Sequence, residues 1–361
     1  IWNSKTNEYT QFYNHEKFTT IAHEQLNIVD ETVEIIKTNI KDLLEKSVDK
    51  RLMSDRKIGC LLSGGLDSSL IAALLSKKYK EPLETFSIGL PGSIDLKYAK
   101  IVADHIGSNH HEVIISEKEM LDSIEKVIEI TETYDTTTIR ASTPMYLLSE
   151  YIKNNSEAVV IYSGEGSDEA SGSYLYFHNA PNEKEFKNET IRLMKDLNYF
   201  DVLRCDKSTA ASGLEVRVPF LDLDFLKYYM NIDSKYKMAS YNNIEKYLLR
   251  SSFDNDNLLP KEVLWRMKEG MSDGVSSQKR GWFEIIQEHV ETVYTDEQFL
   301  ELQQNYTWNT PQFKESMYYR ELFNKYYNGR DKTIPYYWLP KWSGNIVEPS
   351  ARILKNIYKN E

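Results

Sequence analysis

The chain has 361 residues, 41% hydrophobic and 27% charged, a composition that builds a buried core and excludes disorder. Its 55 acidic residues outnumber 44 lysines and arginines for a formal net charge of -11. A polyanion needs a basic face to displace its counterions, so a nucleic-acid partner is excluded; a single nucleotide, which a few backbone amides, one or two lysines and a cation can hold, is not.

No run of about 18 apolar residues occurs, so no membrane partner is expected. The first residues, Ile1-Trp2-Asn3-Ser4-Lys5, show neither the apolar stretch of a signal peptide nor an Arg-rich presequence. The expected location is cytoplasmic. A chain that begins at isoleucine reads as a piece of a longer protein. Cys60 and Cys205 make no disulfide framework, and both are expected to pack in the interior.

Residues 1 to about 20 are polar and aromatic without a sustained period and read as a strand or linker remnant. Asp30 to Lys46 carries apolar residues at helical spacing, and an alternation of strands and helices follows. Ile58 to Leu62 reads as a strand, Ser69 to Tyr79 as a helix, Thr85 to Leu90 as a strand, Asp95 to Ile106 as a helix and His111 to Ile115 as a strand. Ser116 and Glu119 form a capping box that opens a helix to about Ile130, and Ala158 to Tyr162 is a further strand. Alternation of this kind predicts an α/β fold with a doubly wound parallel sheet and its ligands at the carboxyl ends of the strands. Beyond Tyr174 helical spacing dominates, through Glu185 to Leu197, Tyr199 to Ser212, Leu223 to Met230, Ile244 to Phe253 and Pro311 to Tyr327. The segment from Asp331, with Tyr336, Tyr337, Trp338 and Trp342, is expected to dock on the body.

Two glycine loops fall at strand ends. In Ser63-Gly64-Gly65-Leu66-Asp67-Ser68-Ser69, adjacent glycines let phosphate oxygens approach the backbone, and hydroxyls with a helix N-terminus complete an anion cradle. The lysine of a Walker loop is absent. The heptapeptide resembles the pyrophosphate loop of the N-type ATP pyrophosphatases, a likeness that makes Asp67 a magnesium ligand. The second loop, Ser163-Gly164-Glu165-Gly166-Ser167-Asp168-Glu169, sets three carboxylates within five residues, which taken alone reads as a solvated turn.

Both loops, about 100 residues apart, are similar to those of the asparagine synthetase family. So are Thr133-Tyr134-Asp135, Thr137 to Tyr146 around Arg140, Gly213 to Asp222 around Arg217, Pro340-Lys341-Trp342 and Pro349-Ser350-Ala351-Arg352. The resemblance runs from about residue 20 to 355 and is to the C-terminal synthetase domain of the glutamine-hydrolysing type. It implies an adenine nucleotide alpha hydrolase-like fold over 21–361, helical from about 183 onward, with 1–20 as the linker from a glutaminase domain that has no counterpart here. A homodimer is left open.

By the same resemblance the substrates are ATP with Mg2+, aspartate and ammonia. Aspartate is converted to asparagine through β-aspartyl-AMP, with release of AMP and pyrophosphate. Leu61 and Ile88 fall where adenine is held, and Ser163 and Gly164 contact the nucleotide. Residues Ser63, Gly64, Gly65, Leu66, Asp67, Ser68 and Ser69 wrap the pyrophosphate. Asp67 and Asp168 stand at the magnesium, Glu165 forms and consumes the acyl-adenylate, and Lys246 reaches the phosphates. Arg140 and Arg217 are candidate carboxylate clamps, since guanidinium offers a bidentate fork.

The chain departs from the family pattern at Ser173, where a glycine is common, and within Trp265 to Gly274. His110-His111-Glu112 invites a metal reading, but adjacent strand residues point to opposite faces. Two rival functions are another amide or lactam synthetase on the same scaffold and a non-catalytic regulatory subunit. The latter usually loses Asp67, Glu165 or Asp168, and all three are present.

Overall fold

The computed structural model describes residues 2–10 and 32–353. Strands β1 (Trp2–Asn3) and β2 (Glu8–Tyr9) pair antiparallel as a small exposed hairpin. Most of the expected linker, and the start of the helix expected from Asp30, lie outside the described residues. Helix α1 (Val33–Lys50) opens on Thr32, whose hydroxyl accepts from the Ile35 amide, and buries Ile36, Ile40, Leu44 and Val48 along one stripe.

The expected alternation follows: β3 (Lys57–Leu61), α2 (Leu66–Lys78), β4 (Glu84–Gly89), α3 (Ile94–Ile106), β5 (Asn109–Ile114) and α4 (Glu117–Thr131). The Ser116 and Glu119 capping box forms as expected. Next come α5 (Thr136–Asn155), β6 (Ala158–Tyr162) and, later, β7 (Glu215–Arg217). The five-stranded sheet runs β5-β4-β3-β6-β7, every neighbour pair parallel.

Neither α5 nor β7 is foreseen by periodicity. Helix α5 begins with three threonines and contains Pro144, both poor helix signals. It holds because its orphaned groups find partners elsewhere. The Asp135 carboxylate accepts from the Thr138 amide at 2.9 Å, and the Arg140 carbonyl, which proline cannot serve, accepts from Trp282 Nε1 at 3.1 Å. Strand β7 is three residues long, too short for alternation to show, and pairing with β6 defines it.

Both faces of the sheet are covered, as a doubly wound sheet requires. Ile58, Cys60, Val160 and Tyr162 enter one core with α1, α2 and α3; Leu61, Phe86, Ile88 and Ile161 enter the other with α4 and α5. The remaining helices used below are α6 (Ser167–Ser171), α7 (Glu183–Lys195), α8 (Asp201–Ala210), α9 (Leu223–Asn231), α10 (Tyr247–Ser252), α11 (Trp282–Glu291) and α12 (Lys314–Tyr327). The helix expected from Ile244 starts only at Tyr247, because Lys246 is left-handed at φ 57.

Tyr336 reaches Asp196 at 2.5 Å and Trp338 packs on Tyr174 and Tyr176, so the C-terminal segment docks as expected. His110 bonds Thr85 and Ser87 on one face of β5 while His111 stacks on Phe86 on the other. Cys60 and Cys205 are buried and unpaired with each other. Among the described residues no helix is long and apolar enough to cross a membrane.

Candidate active site

Strands β3 and β6 lie side by side although about 100 residues separate them. The chain winds outward from β3 through β4 to β5, then returns to add β6 and β7 on the other side. Adjacent loops therefore leave in opposite directions at the carboxyl ends, and a crevice opens between them. Both glycine loops line it.

The loops are fitted backbone to backbone. A Cβ on Gly164 would stand 2.7 Å from the Ser68 nitrogen and 2.8 Å from the Asp67 carbonyl carbon. Gly64, at φ +73, is pressed against α3 so closely that a Cβ would meet the Ala99 nitrogen at 2.3 Å. Within the first loop, the Ser68 hydroxyl accepts from the Ser63 amide at 3.2 Å and lies 3.0 Å from the Ser63 hydroxyl. Gly65 caps α2, so its first-turn amides point into the crevice without intrahelical partners.

Lys246 crosses from the helical half into this space. Its ammonium contacts Asp67 Oδ2 at 2.5 Å and Asp168 Oδ1 at 2.6 Å, joining the two loops, while Lys268 pairs with the other oxygen of Asp168. Ser167 donates to Asp67 at 2.9 Å and Ser173 to Asp168 at 2.6 Å. Serine at 173, where the family favours glycine, thus orients the carboxylate. Burial acts to raise Asp168, but Lys246 and Lys268 outweigh it and hold the carboxyl well below the usual range.

Beside them Arg204 of α8 grips Glu165 at 2.6 Å. Burial pushes Glu165 above the ordinary carboxylate range, with Arg204 pulling against it. Tyr174 lies 2.6 Å from Glu169 and 3.0 Å from Asp201. One phenolic hydrogen cannot serve two ionised carboxylates at once. Burial, with the charges of Asp201 and Asp168, pushes Glu169 well above the ordinary carboxylate range.

Of the residues singled out by sequence, Leu61, Ser63, Gly65, Leu66, Asp67, Ser68, Ser163, Gly164, Glu165, Asp168, Lys246 and Arg140 line one cleft. Gly64 and Ser69 lie behind it: Gly64 shapes the turn, and Ser69 is fully buried, its hydroxyl without a partner among the described residues. Ile88 is packed in the core and Leu61 alone of that pair reaches the cleft. Arg217 is not brought there; its guanidinium donates to the carbonyls of Arg51 and Met53 and pairs with Glu215. Arg140 is present, but its fork is filled by Glu315 and Glu348, so it holds carboxylates of the protein itself. Arg204, Lys268, Tyr174 and Asp201 escape sequence reasoning, and Glu169, counted among the carboxylates of the second loop, is given no role there. Only Lys268 lies in a segment that sequence reading marks as variable within a familiar frame, and a charged residue on a helix gives no local sign of facing a cleft.

This fold and cleft define an α/β ligand-binding domain of the open parallel-sheet class, with an acid pair clasped by lysine at the reversal of strand order. The sequence profile described as asparagine synthase matches residues 39–192 and 179–349. The asparagine synthetase [glutamine-hydrolyzing] of Gallus gallus is 50% identical over 358 residues, 95% of this chain and 63% of that protein. That of Homo sapiens is 50% identical over 333 residues, 91% of this chain and 59% of that protein. Among solved structures, an NMN synthetase from Francisella tularensis covers 59% of this chain and 94% of its own at 14% identity and a TM-score of 0.28, too distant a likeness to bear on the fold. The chain belongs to the asparagine synthase family, and it spans less than two thirds of the length of these synthetases.

Proposed function

We propose that this chain activates the β-carboxylate of aspartate with ATP and passes the acyl group to ammonia, giving asparagine, AMP and pyrophosphate. The observation that carries the reading is the Lys246 ammonium set between Asp67 and Asp168, with Glu165 held beside them by Arg204. In the first step a β-carboxylate oxygen bonds to the α-phosphorus, the bond to the bridging oxygen breaks, and pyrophosphate leaves. Amides at the start of α2 and the Ser63 and Ser68 hydroxyls receive the departing phosphates, and Lys246 balances the charge that builds on them. Leu61 offers the apolar surface for adenine, with Ser163 and Gly164 against the nucleotide.

In the second step the ammonia nitrogen bonds to the activated carbonyl carbon, Glu165 takes the excess proton, and the bond to AMP breaks. A carboxyl raised by burial is a better base than an exposed one, as this role requires. Asp67 and Asp168 meet one and the same cation in Lys246, and two hard carboxylates beside a phosphate cradle suit Mg2+, which retains waters and phosphate oxygens as its other ligands. When bound there, Mg2+ supplies charge stabilisation on the phosphates.

Ammonia is the nitrogen source for this chain, and glutamine for a longer one carrying a glutaminase domain, as the name of its relatives indicates. The reading includes a cytoplasmic location and leaves a homodimer open. The deciding assay follows asparagine, AMP and pyrophosphate from ATP, aspartate and ammonium, with Glu165→Gln and a panel of other carboxylic acids alongside. Equal yields of the three products, lost in the variant, are expected. Absence of pyrophosphate from the unaltered chain sinks the reading, and a different preferred acid redirects it to another amide synthetase.

A further inference from the structure

The C-terminal segment is part of the cleft wall. Trp338, Pro340, Pro349, Ser350 and Ala351 line the cleft together with residues of the two glycine loops, although little regular structure holds residues 334–350 in place. What holds them is a small set of polar ties. Glu348 bonds Arg140 through both oxygens, at 2.5 and 2.8 Å, and accepts from Gln287 at 2.6 Å. Ser350 donates its hydroxyl to Asp273 at 3.1 Å, and Arg352 donates to the carbonyls of Ser277 and Asp273. Arg140 is itself buried and bonded on other sides: Glu315 fills its other edge, Trp282 donates to its carbonyl, and 2% of it is exposed.

We propose that Glu348 is a positioning residue which latches the C-terminal segment, residues 338–350, onto Arg140 as a strap that keeps water from the activated acyl group. The inference rests on the proposed adenylation. Its chemical content is a competition at one carbonyl carbon. Attack by ammonia gives asparagine and AMP; attack by water returns aspartate and AMP, so that ATP and water have become AMP and pyrophosphate with nothing gained. A closed wall suppresses the second path. Guanidinium and carboxylate suit the latch because the bidentate fork sets the direction of approach as well as its strength. Arg140 already faces one full carboxylate, so Glu348 adds a charge that only the closed segment can bring.

The experiment compares the unaltered chain with Glu348→Ala and Glu348→Gln at saturating ATP, aspartate and ammonium, measuring pyrophosphate and asparagine in the same reaction. In the unaltered chain the two are formed in near equal amounts. In Glu348→Ala pyrophosphate should exceed asparagine several-fold, with the KM for ATP little changed and Glu348→Gln intermediate. Pyrophosphate and asparagine falling in proportion would overturn the strap, as that is the signature of a general structural defect. Hydrogen exchange reads the latch without turnover: residues 338–350 should exchange faster in Glu348→Ala while α2 and α5 do not. Unchanged exchange there overturns the proposal even if the chain makes no pyrophosphate, an outcome that by itself refutes only the adenylation. Should Glu348→Ala fail to fold, Gln287→Ala removes one donor to Glu348 and is read the same way.

Discussion

Replacing Gly164 by alanine tests whether the two loops work as one rigid unit. The added Cβ would sit 2.7 Å from the Ser68 nitrogen, 2.8 Å from the Asp67 carbonyl carbon and 3.0 Å from the Asp67 Cβ. Ordinary carbon contacts begin near 3.4 Å, so the loops must part by roughly half an ångström, and no flexible side-chain end is available to absorb it. Overpacking of this sort costs about 1 to 3 kcal/mol of stability. The kinetic effect is larger, since displacement by about 1 Å in a site that works by alignment costs on the order of 100-fold. Pyrophosphate release under kcat/KM conditions is therefore expected to fall by about 10- to 100-fold, with the melting point only modestly lower. Gly107→Ala is the control: at φ +66 it carries left-handed strain of about 1 kcal/mol, but nothing lies within 4 Å of its Cβ, so stability falls and kcat/KM does not. A Gly164→Ala variant that keeps kcat/KM within about twofold refutes the account of the loop contact.

Lys246→Ala should lower pyrophosphate release by about 100- to 1000-fold, and Lys246→Arg should not restore it, because a planar fork does not fit between Asp67 and Asp168; rates near those of the unaltered chain contradict the charge-balancing role. Arg204→Met leaves Glu165 to burial and the charges of Asp201 and Asp168, so its carboxyl rises further and the acid limb of the pH profile for asparagine formation moves upward; an unmoved limb argues against Glu165 as the proton acceptor. Asp95, buried beside Arg266, is raised by burial from 3.8 to about 7, so between those values the folded chain binds more protons than the unfolded one. Its contribution to stability therefore falls as pH rises through that window, and Asp95→Asn should flatten the decline of melting temperature with pH; parallel curves contradict this.

The parallel sheet was legible because β3 and β6 are short apolar runs ending in glycine loops within an alternation of strands and helices, and β3, β4, β5 and β6 lie within two residues of expectation. Helix α5 was hidden by the non-local compensation it needs: the bond from Trp282 to the Arg140 carbonyl joins residues 142 apart. The same limit governs the cleft. Asp67, Glu165 and Asp168 announce themselves by standing in glycine loops at strand ends, whereas Arg204 looks like any helix arginine until α8 is packed against α5 and β7. Arg140 and Arg217 mark the opposite error, since a motif shows that an arginine is placed with care but not which carboxylate or carbonyl it was placed to meet. Arg140 meets Glu315 and Glu348, and Arg217 meets the chain between Arg51 and Met53.

The division of charge explains why the helical half is needed at all. Three acidic groups of the glycine loops are answered by cations from beyond residue 200: Asp67 and Asp168 by Lys246, Asp168 again by Lys268, and Glu165 by Arg204. The sheet alone would present three carboxylates to an incoming polyphosphate, an arrangement that repels it. With the helical half docked, those carboxylates are balanced locally, so a chain of net charge -11 can still receive an anion at this one place. Lys246 reaches the gap only through a left-handed backbone, φ 57, at the start of α10. That conformation is uncommon for a residue with a side chain, and here the surrounding contacts of Lys246 with both loops over-determine it. On the proposed function the two halves are coupled through the lysine: a phosphate that drew its ammonium away would free Asp67 and one oxygen of Asp168 for a metal ion, so that binding of nucleotide and of cation should reinforce each other.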